Sequence, residues 1–282
     1  MTINQLYQKA FVGGKWNVAF RLKDEKQFKV IETPKDIWIA DPILFSKENE
    51  EYLFVEVYEK KKKKAAIGYY QFVDGNPVYK GIIISNSYHM SYPYVFSFDG
   101  NYYMIPESSA NDTITLYKAK KFPDKWCKVK DLIIGEKYVD STVIKDKDQI
   151  YLFTYKAIKN GWKLVHFELD MEKYELKEKS HIFYDKNVGR PAGICTDNKK
   201  RVAQDCRKKY GENLLVYAIE SFEPYNEKLE RLLNVDYFNV DKKYARVHTY
   251  SESEKYEVID LFEEKFDIFH GIKIFCRAYL KK

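Results

Sequence analysis

The segment DPILFSKENEEYLFVE, residues 41–56, recurs along the chain in modified form, and this repeat decides the fold. Three further copies superimpose on it without gaps: YPYVFSFDGNYYMIPE (92–107), DSTVIKDKDQIYLFTY (140–155) and RPAGICTDNKKRVAQD (190–205). A fifth, weaker copy is ARVHTYSESEKYEVID (245–260). Each copy reads as an apolar strand, a polar turn and a second strand. The second strand opens with an aromatic residue in four copies and with Arg in the fourth: Tyr52, Tyr103, Tyr151, Arg201 and Tyr256.

The spacing of the copies predicts the architecture. Their starting positions lie 51, 48, 50 and 55 residues apart, and each period contains further strand-like runs such as AAIGYYQF and TITLYKAK. Four strands in a period of roughly 40–50 residues are typical of a β-propeller blade. We therefore predict an all-β, five-bladed β-propeller with four-stranded antiparallel blades. The predicted propeller fills residues 1–282 as one domain, with inner hairpins starting near 41, 92, 140, 190 and 245.

Three segments outside the repeat receive their own predictions. The stretch YNEKLERLL, residues 225–233, is predicted to form a helix in the fourth connection between blades. The runs GKWNVAFRL (14–22) and HGIKIFCRAYL (270–280) are predicted to be outer strands that help to close the ring.

Composition excludes several classes of protein. The chain has 282 residues, of which 45% are hydrophobic, 17% aromatic and 32% charged, as in a soluble globular protein rich in sheet. It contains no apolar stretch long enough to span a membrane, and its N-terminus shows no secretory signal. We therefore expect a cytoplasmic protein. The four cysteines show no metal-binding spacing, so no zinc site and no cofactor are predicted, although a divalent metal is left open.

The net charge of +6 depends strongly on one lysine run, residues 60–64. A solvated hairpin tip explains this run best. Contact with the inner membrane surface or an anionic glycolipid is the sharper alternative. Nucleic-acid binding is not expected, because no recognition motif accompanies the charge.

Hairpin geometry predicts where a site lies. Cross-strand partners in a regular hairpin have a constant index sum, which places Asp41 opposite Glu56. The same offset gives the following four pairs: Tyr92 with Glu107, Asp140 with Tyr155, Arg190 with Asp205, and Ala245 with Asp260. Strands normally contain few carboxylates, and like charges around a funnel are costly unless they are used. We interpret these positions as a functional acidic funnel, while capping of turns remains the alternative, above all for Asp205 and Asp260.

Polar neighbours in the same registers refine the predicted chemistry. The residues added to the site for substrate binding are His89, Ser108, Gln204, Arg246 and His248. Carboxylates and aromatic faces suit polyhydroxylated ligands. Arg190 and Arg246 could clamp a phosphate or a carboxylate. His166, His181 and His270 lie outside these registers and are interpreted as structural or surface residues.

Several motifs carry a family resemblance. WIADPILF, HMSYPYVFSFDGNYYMIPESSANDTITLYKAKKFPDKW, YVDSTVI, GRPAG and AQDCRKKYG resemble bacterial five-bladed propellers related to the N-terminal domain of plant glucosamine inositolphosphorylceramide transferases. The resemblance runs from about residue 38 to about residue 260. It implies a fold like that of glycoside hydrolase family 43 and a role beside surface-polysaccharide biosynthesis genes.

The resemblance also implies roles for individual residues. The hydrolase family uses a general-base Asp, which Asp41 matches, a second Asp that tunes the acid, and a general-acid Glu. Tyr92 stands at the second-blade position of the tuning Asp, and Asp140 takes the equivalent place one blade later. Glu107 is the candidate acid, in a sequence context that differs from that of the hydrolases. The catalytic residues predicted here are therefore Asp41, Glu107 and Asp140.

Three functions remain open at the level of sequence. The first is a glycosyltransferase that moves a sugar from a nucleotide-linked donor to a glycan or glycolipid acceptor, with Asp41 as base. Arg190, Arg246 or a Lys would then stabilise the phosphate leaving group. The second is a glycoside hydrolase of the furanosidase or xylosidase type with Asp41 and Glu107 as its carboxylate pair. The third is a glycan-binding propeller without catalysis.

Overall fold

Strands β1 (Val12–Leu22) and β2 (Lys29–Val30) begin the part of the chain that the computed structural model describes, residues 12–266. The next four strands form blade 1: β3 (Ile37–Lys47), β4 (Glu50–Glu59), β5 (Lys64–Val73) and β6 (Asn76–Ile84). Blade 2 contains β7 (Ser91–Phe98), β8 (Asn101–Ser108), β9 (Thr113–Lys121) and β10 (Lys125–Ile134), with a 3₁₀ turn at Ser109–Asn111. Blade 3 contains β11 (Val139–Asp146), β12 (Gln149–Ile158), β13 (Gly161–Asp170) and β14 (Glu175–Tyr184).

The last two blades are built less regularly. Blade 4 contains β15 (Val188–Pro191), β17 (Lys200–Asp205), β18 (Asn213–Phe222) and β19 (Tyr225–Leu233). Between β15 and β17 the chain forms β16 (Gly193–Ile194), which pairs in parallel with blade 5. Blade 5 contains β20 (Tyr244–Arg246), β21 (Tyr250–Glu252) and β22 (Tyr256–Phe266), followed outward by β1 and β2. The described residues thus form the predicted five-bladed propeller of antiparallel blades.

The N-terminal strand closes the ring. β1 pairs with β22 along its whole length, from Val12 opposite Phe266 to Leu22 opposite Tyr256. The prediction of a closing strand at residues 14–22 is therefore confirmed, although β2 lies outside it. The predicted strand at 270–280 lies outside the described residues, as do Cys276 and His270.

The helix predicted at residues 225–233 is wrong. This segment is β19, the outer strand of blade 4, and it pairs antiparallel with β18 from Phe222 opposite Tyr225 to Leu214 opposite Leu233. An outer strand has an open edge, where charged residues are well tolerated because they discourage further pairing. The dense charges of YNEKLERLL therefore fit an edge strand as well as an exposed helix.

The repeated aromatic residue joins neighbouring blades. Tyr151 stacks on Phe222 of blade 4 with ring centroids 4.8 Å apart, and Tyr256 stacks on Phe72 of blade 1 at 4.2 Å. Tyr52 meets Phe122 of the following blade edge-on, and Tyr103 lies tilted against Tyr174 of the following blade. Each such pair contributes about 0.5–1.5 kcal/mol beyond the buried area. The repeat is therefore also the element that fastens one blade to the next.

A β-bulge interrupts the inner hairpin of blades 1 to 4 near the start of its first strand. Asp41, Tyr92 and Asp140 have left-handed backbones, with φ of 50°, 44° and 47°, and Gly189 has φ of 95° at the same place in blade 4. Such a backbone is uncommon for Asp and strained for Tyr. The bulge redirects the side chains of Asp41, Tyr92 and Asp140, each of which contacts a residue of another blade.

The predicted pairing is shifted by one residue in blades 1 to 3, and in blade 4 the partner of Asp205 is shifted by two. The observed partners are Ala40 for Glu56, Ser91 for Glu107, Val139 for Tyr155, Val188 for Asp205 and Gln204 for Arg190. In blade 5, Tyr244 and Arg246 pair with Glu263 and Phe262, so Ala245 does not oppose Asp260. In blades 1 to 3 the constant index sum fails because each bulge inserts one residue into one strand only. In blades 4 and 5 the predicted position of the turn is also wrong, so the index sum differs on the turn side of the hairpin as well.

Connections between strands alternate between the two ends of the propeller. Asp41, Asp140 and Arg190 lie close to the end at which the inner strands begin. We call this end the mouth face and the other end the opposite face. In the described chain, no helix is long and apolar enough to cross a membrane.

Candidate functional site

Three side chains from blades 1 and 5, those of Asp41, His248 and Asp260, lie in close polar contact. His248 Nε2 lies 3.2 Å from Asp41 Oδ1, and its Nδ1 lies 2.7 Å from Asp260 Oδ2. Asp260 Oδ1 accepts hydrogen bonds from the backbone N–H groups of His248 and Thr249. Asp260 Oδ2 accepts another from the N–H of Asp41. Asp260 therefore fixes both the imidazole and the bulge that carries Asp41.

Burial and charge both act on the proton of Asp41. Burial raises the pKa of Asp41 to about 6; the His248 imidazole opposes this rise, and Asp140 and Asp260 add to it. Burial lowers the pKa of His248, but the Asp260 and Asp41 carboxylates outweigh it and leave that pKa above its usual value. Asp41 can thus exchange a proton near neutral pH, which is the property required of a general base.

A second group joins blades 2, 3 and 4. Arg190 Nε donates to Asp140 Oδ2, and Arg190 Nη2 lies 3.2 Å from Glu107 Oε2. Gln204 Nε2 also donates to Asp140 Oδ2, at 3.2 Å, and Ser109 Oγ donates to Glu107 Oε1 at 2.7 Å. The sequence-predicted residues Asp140, Glu107, Arg190 and Gln204 are therefore brought together.

Asp140 has the unusual environment within this group. Its side chain is almost fully buried, and its Oδ1 has no hydrogen-bond partner among the described residues. Burial raises the pKa of Asp140 to about 7, Arg190 opposes the rise, and Glu107 adds to it. A buried carboxyl group with one free oxygen can hold a proton or accept one from a bound ligand.

Glu56 and His89 form a third contact on the blade 1 side. His89 Nε2 lies 3.2 Å from Glu56 Oε1, and its Nδ1 accepts a hydrogen bond from the N–H of Ala65. Burial raises the pKa of Glu56 to about 7, against the hydrogen bond from His89. That same hydrogen bond raises the pKa of His89. His89 is partly exposed, so it can reach a ligand above the buried carboxylate.

Five other predicted binding residues lie in different surroundings. Tyr92 is fully buried, and its hydroxyl group contacts Thr142 and the N–H of Gly193. The hydroxyl groups of Tyr155 and Ser108 donate to backbone carbonyls, those of Val188 and Pro106. Asp205 is held by Arg207 through two contacts of 2.8 Å, and Arg246 lies over the ring of Phe262. These side chains contact other groups of the protein in the structure, and their contact with a ligand stays a prediction.

Sequence reasoning missed Trp16 and Tyr210. Trp16, on β1, stacks on the His248 ring with centroids 3.9 Å apart, and Tyr210 meets the same ring edge-on at 5.3 Å. Gly211 makes this packing possible, since a Cβ atom there would lie 2.7 Å from His248 Cβ and 2.9 Å from the Trp16 ring. The sequence YG at the end of AQDCRKKYG was the one available signal.

Asp41, His248 and Asp260 also offer donor atoms within 4.8 Å of one another, which could hold a metal ion. Two carboxylates and an imidazole suit a transition metal or zinc. However, the imidazole nitrogens already face the two carboxylates, so a metal would have to replace those contacts.

Comparisons with known proteins agree with this fold. The family described as "Glucosamine inositolphosphorylceramide transferase 1, N-terminal" matches residues 13–250. Glucosamine inositolphosphorylceramide transferase 1 of Arabidopsis thaliana is 30% identical over 206 residues, covering 67% of this chain and 27% of the relative. The protein of that name from Oryza sativa subsp. indica is 28% identical over 205 residues, with the same coverage of 67% and 27%. The chain thus spans little more than a quarter of the length of these relatives.

Solved structures share the architecture at low sequence identity. A thermostable family-43 glycoside hydrolase has a TM-score of 0.59 at 15% identity, covering 81% of this chain and 89% of that chain. A family 117 glycoside hydrolase from the marine bacterium Zobellia galactanivorans has a TM-score of 0.57 at 12% identity, covering 93% and 92%. At these identities the likeness concerns the fold alone. The match over residues 13–250 is more specific, and by it the chain belongs to the family of glucosamine inositolphosphorylceramide transferase 1 N-terminal domains.

Proposed function

We propose that the protein is a glycosyltransferase that moves a sugar from a nucleotide-linked donor to a glycan or glycolipid acceptor in surface-polysaccharide biosynthesis. The observation that carries this proposal is the contact of Asp41 with His248, which Asp260 holds in place. Asp41 takes the proton of the acceptor hydroxyl group as the acceptor oxygen bonds to the sugar carbon. The bond from that carbon to the phosphate oxygen breaks, and the leaving phosphate keeps the electron pair.

Arg190 favours transfer over hydrolysis in this arrangement. Its guanidinium lies between Asp140 and Glu107 and carries five N–H donors, of which these two carboxylates engage the Nε and one Nη group. The remaining donors suit a phosphate leaving group, which needs no general acid. The names of the curated relatives, all transferases, support the same choice.

Hydrolysis is the second candidate, and Asp140 is the observation in its favour. Since the pKa of Asp140 is raised to about 7, this residue can hold a proton at neutral pH and donate it to a leaving sugar oxygen. Asp41 would then activate water. A propeller that only binds glycans would use the same polar groups without turnover.

A nucleotide-release assay tests the proposal. Purified protein is given a panel of nucleotide sugars with glycan and lipid-linked acceptors, beside the variants Asp41→Asn and Glu107→Gln. Asp205→Asn is the matched control, because it makes the same chemical change at a strand end where Arg207 holds the carboxylate. We expect release that depends on acceptor and falls at least about 100-fold in Asp41→Asn only.

Two other outcomes of these assays would support a different function. Asp41-dependent cleavage of aryl furanosides or pyranosides without nucleotide release would replace transfer by hydrolysis. Saturable glycan binding with neither activity would leave a binding propeller.

A further inference from the structure

The two ends of the propeller carry opposite charge. The described connections on the mouth face are residues 31–36, 60–63, 85–90, 109–112, 135–138, 159–160, 185–187, 206–212 and 234–243. Those on the opposite face are residues 23–28, 48–49, 74–75, 99–100, 122–124, 147–148, 171–174, 195–199, 223–224 and 253–255. The mouth-face connections contain 13 Lys and Arg against 8 Asp and Glu, whereas the opposite-face connections contain 6 against 11. The described connections therefore carry a net charge of +5 on one face and −5 on the other.

The positive charge is spread over several blades. Blade 1 supplies residues 60–63, four consecutive exposed lysines, and blade 4 supplies Arg207, Lys208 and Lys209. Lys61 and Lys62 contact Asp36 and Glu59, but these are exposed pairs, which contribute little and are screened by salt. Asp36 is included in the net charge of +5, whereas Glu59 lies on β4, outside the counted connections. Arg207, Lys208 and Lys209 contact Asp205, Glu212 and Glu264. The attraction to an anionic surface therefore comes from the net charge of the face and not from unpaired cations.

Exposed apolar side chains lie at the same end. Ile134 and Phe183 are 73% and 62% exposed, more than any other large hydrophobic residue of the described chain. Ile134 ends β10 and Phe183 is the penultimate residue of β14, so both lie where an outer strand reaches the mouth face. Leu232 and Tyr237 continue this rim into blade 4 and its mouth-face connection, with about half of each side chain exposed.

Exposed lysines together with exposed apolar side chains on the mouth face favour a lipid bilayer as the partner. Of the 13 cations on the mouth face, 12 are lysines, which act as flexible point charges. A nucleic acid is better matched by Arg and by stacking aromatic residues in a groove. Lysines mixed with protruding Ile, Phe, Leu and Tyr match the boundary of a lipid bilayer, where charge meets headgroups and apolar side chains enter the acyl region.

We propose that the mouth face docks onto a bilayer surface that carries anionic lipids. The negative opposite face is then turned away from the bilayer, and Asp41, Asp140 and Arg190 lie at the end of the propeller that faces the membrane. Docking of this kind does not depend on the transferase activity, since it uses residues outside the site.

Vesicle co-sedimentation of the full chain tests this docking. We expect binding to vesicles with about 30 mol% phosphatidylglycerol in phosphatidylcholine and little binding to pure phosphatidylcholine. Binding should weaken as salt rises from about 0.1 M to about 0.5 M. The quadruple variant Lys60→Gln, Lys61→Gln, Lys62→Gln and Lys63→Gln should bind at least about tenfold more weakly.

An equal charge change on the opposite face is the matched control. The variant Lys26→Gln, Lys147→Gln, Lys199→Gln and Lys255→Gln alters four exposed lysines of that face and should bind as the unmodified protein does. For the apolar rim, Ile134→Ser with Phe183→Ser should weaken binding, whereas Leu22→Ser with Val73→Ser, near the opposite face, should not.

Three results would overturn the docking. These are equal binding to neutral and anionic vesicles, equal losses from the mouth-face and opposite-face lysine sets, and binding to RNA but not to vesicles at the same salt. Asp41→Asn should still bind vesicles, so a failure of docking and a failure of the proposed catalysis give different results.

Discussion

Asp41 is buried, yet its carboxylate contacts the imidazole of His248, with which it can exchange a proton. Its backbone is held left-handed by the bulge, with φ of 50°, and its N–H donates to Asp260. One carboxylate oxygen accepts the N–H of Tyr92, and the other faces Thr249 and His248. Strain of this kind tends to persist where the surrounding structure uses it.

The pH dependence of activity tests the coupling between Asp41 and His248. Because the base must be ionised, activity should rise with pH through about 6, where the raised pKa of Asp41 lies. The imidazole holds that pKa down, so His248→Gln should move the rise to higher pH as well as lower the rate. His166→Gln, a buried imidazole away from the site, is the control. An unchanged midpoint in His248→Gln would contradict the coupling.

The same carboxylates predict how stability depends on pH. Burial raises the pKa values of Asp41 and Asp140 to about 6 and about 7, so the folded protein binds more protons than the unfolded chain between about pH 4 and pH 7. Stability contributed by these groups therefore falls as pH rises through this window. The raised pKa of His248 acts in the same direction, since its contribution is lost as pH rises.

Thermal melts from pH 5 to pH 8 measure this effect. We expect the melting temperature to fall across the series and to fall less steeply in Asp140→Asn. Asp205→Asn should keep the slope of the unmodified protein, because the side chain of Arg207 lowers the pKa of Asp205. A melting temperature that rises over this range would contradict the assignment.

The sequence predicted the site residues unequally. Asp41, Asp140 and Arg190 open their copies of the repeat, Glu107 ends the second copy, and His248 lies near the start of the fifth. The structure brings these residues to the mouth side of the propeller. The precise pairing was wrong, because side-chain alternation does not reveal an inserted residue. The hydroxyl groups of Tyr155 and Ser108 donate to backbone carbonyls, and ligand contact by these two residues stays a prediction.

At the scale of the strand, blade 4 departs from the repeat. Arg201 replaces the aromatic residue and is fully buried, with Nε and Nη2 contacting the two carboxylate oxygens of Glu227 at 2.9 Å and 2.6 Å. Arg201 Nη1 donates to the carbonyl of Gly189, beside the bulge. Glu227 lies on β19, the segment predicted to be a helix. The charged residues that suggested a helix thus include Glu227, the carboxylate that pairs with the buried Arg201.

Replacing one partner of this ion pair should destabilise the protein far more than replacing both partners. Arg201→Leu leaves the Glu227 carboxylate buried without its partner and should lower the free energy of unfolding by about 3–5 kcal/mol. The double variant Arg201→Leu with Glu227→Leu should recover most of that loss, because well-packed apolar residues often replace a buried pair at little cost. Urea unfolding of the two single variants and the double variant measures the coupling. Additive losses would show that the two side chains stabilise the blade independently.

At the scale of the whole molecule, ring closure completes the site. β1 joins the last blade, and this brings Trp16 onto His248, more than 230 positions along the chain. The repeat and its period were sufficient to predict five blades, because each period records one local hairpin unit. A contact between distant strands has no periodic pattern in the sequence. The packing of Trp16 on His248 and the close approach at Gly211 could therefore not be predicted.

The central claim is that Asp41 removes the proton from an acceptor hydroxyl group during sugar transfer. Following a labelled sugar from the nucleotide donor tests it most directly, with product formed on the acceptor and product formed on water counted separately. We predict label on the acceptor for the unmodified protein and for Asp205→Asn, and a loss of at least about 100-fold for Asp41→Asn. Transfer that continues undiminished in Asp41→Asn, or label found on water alone, would contradict the account.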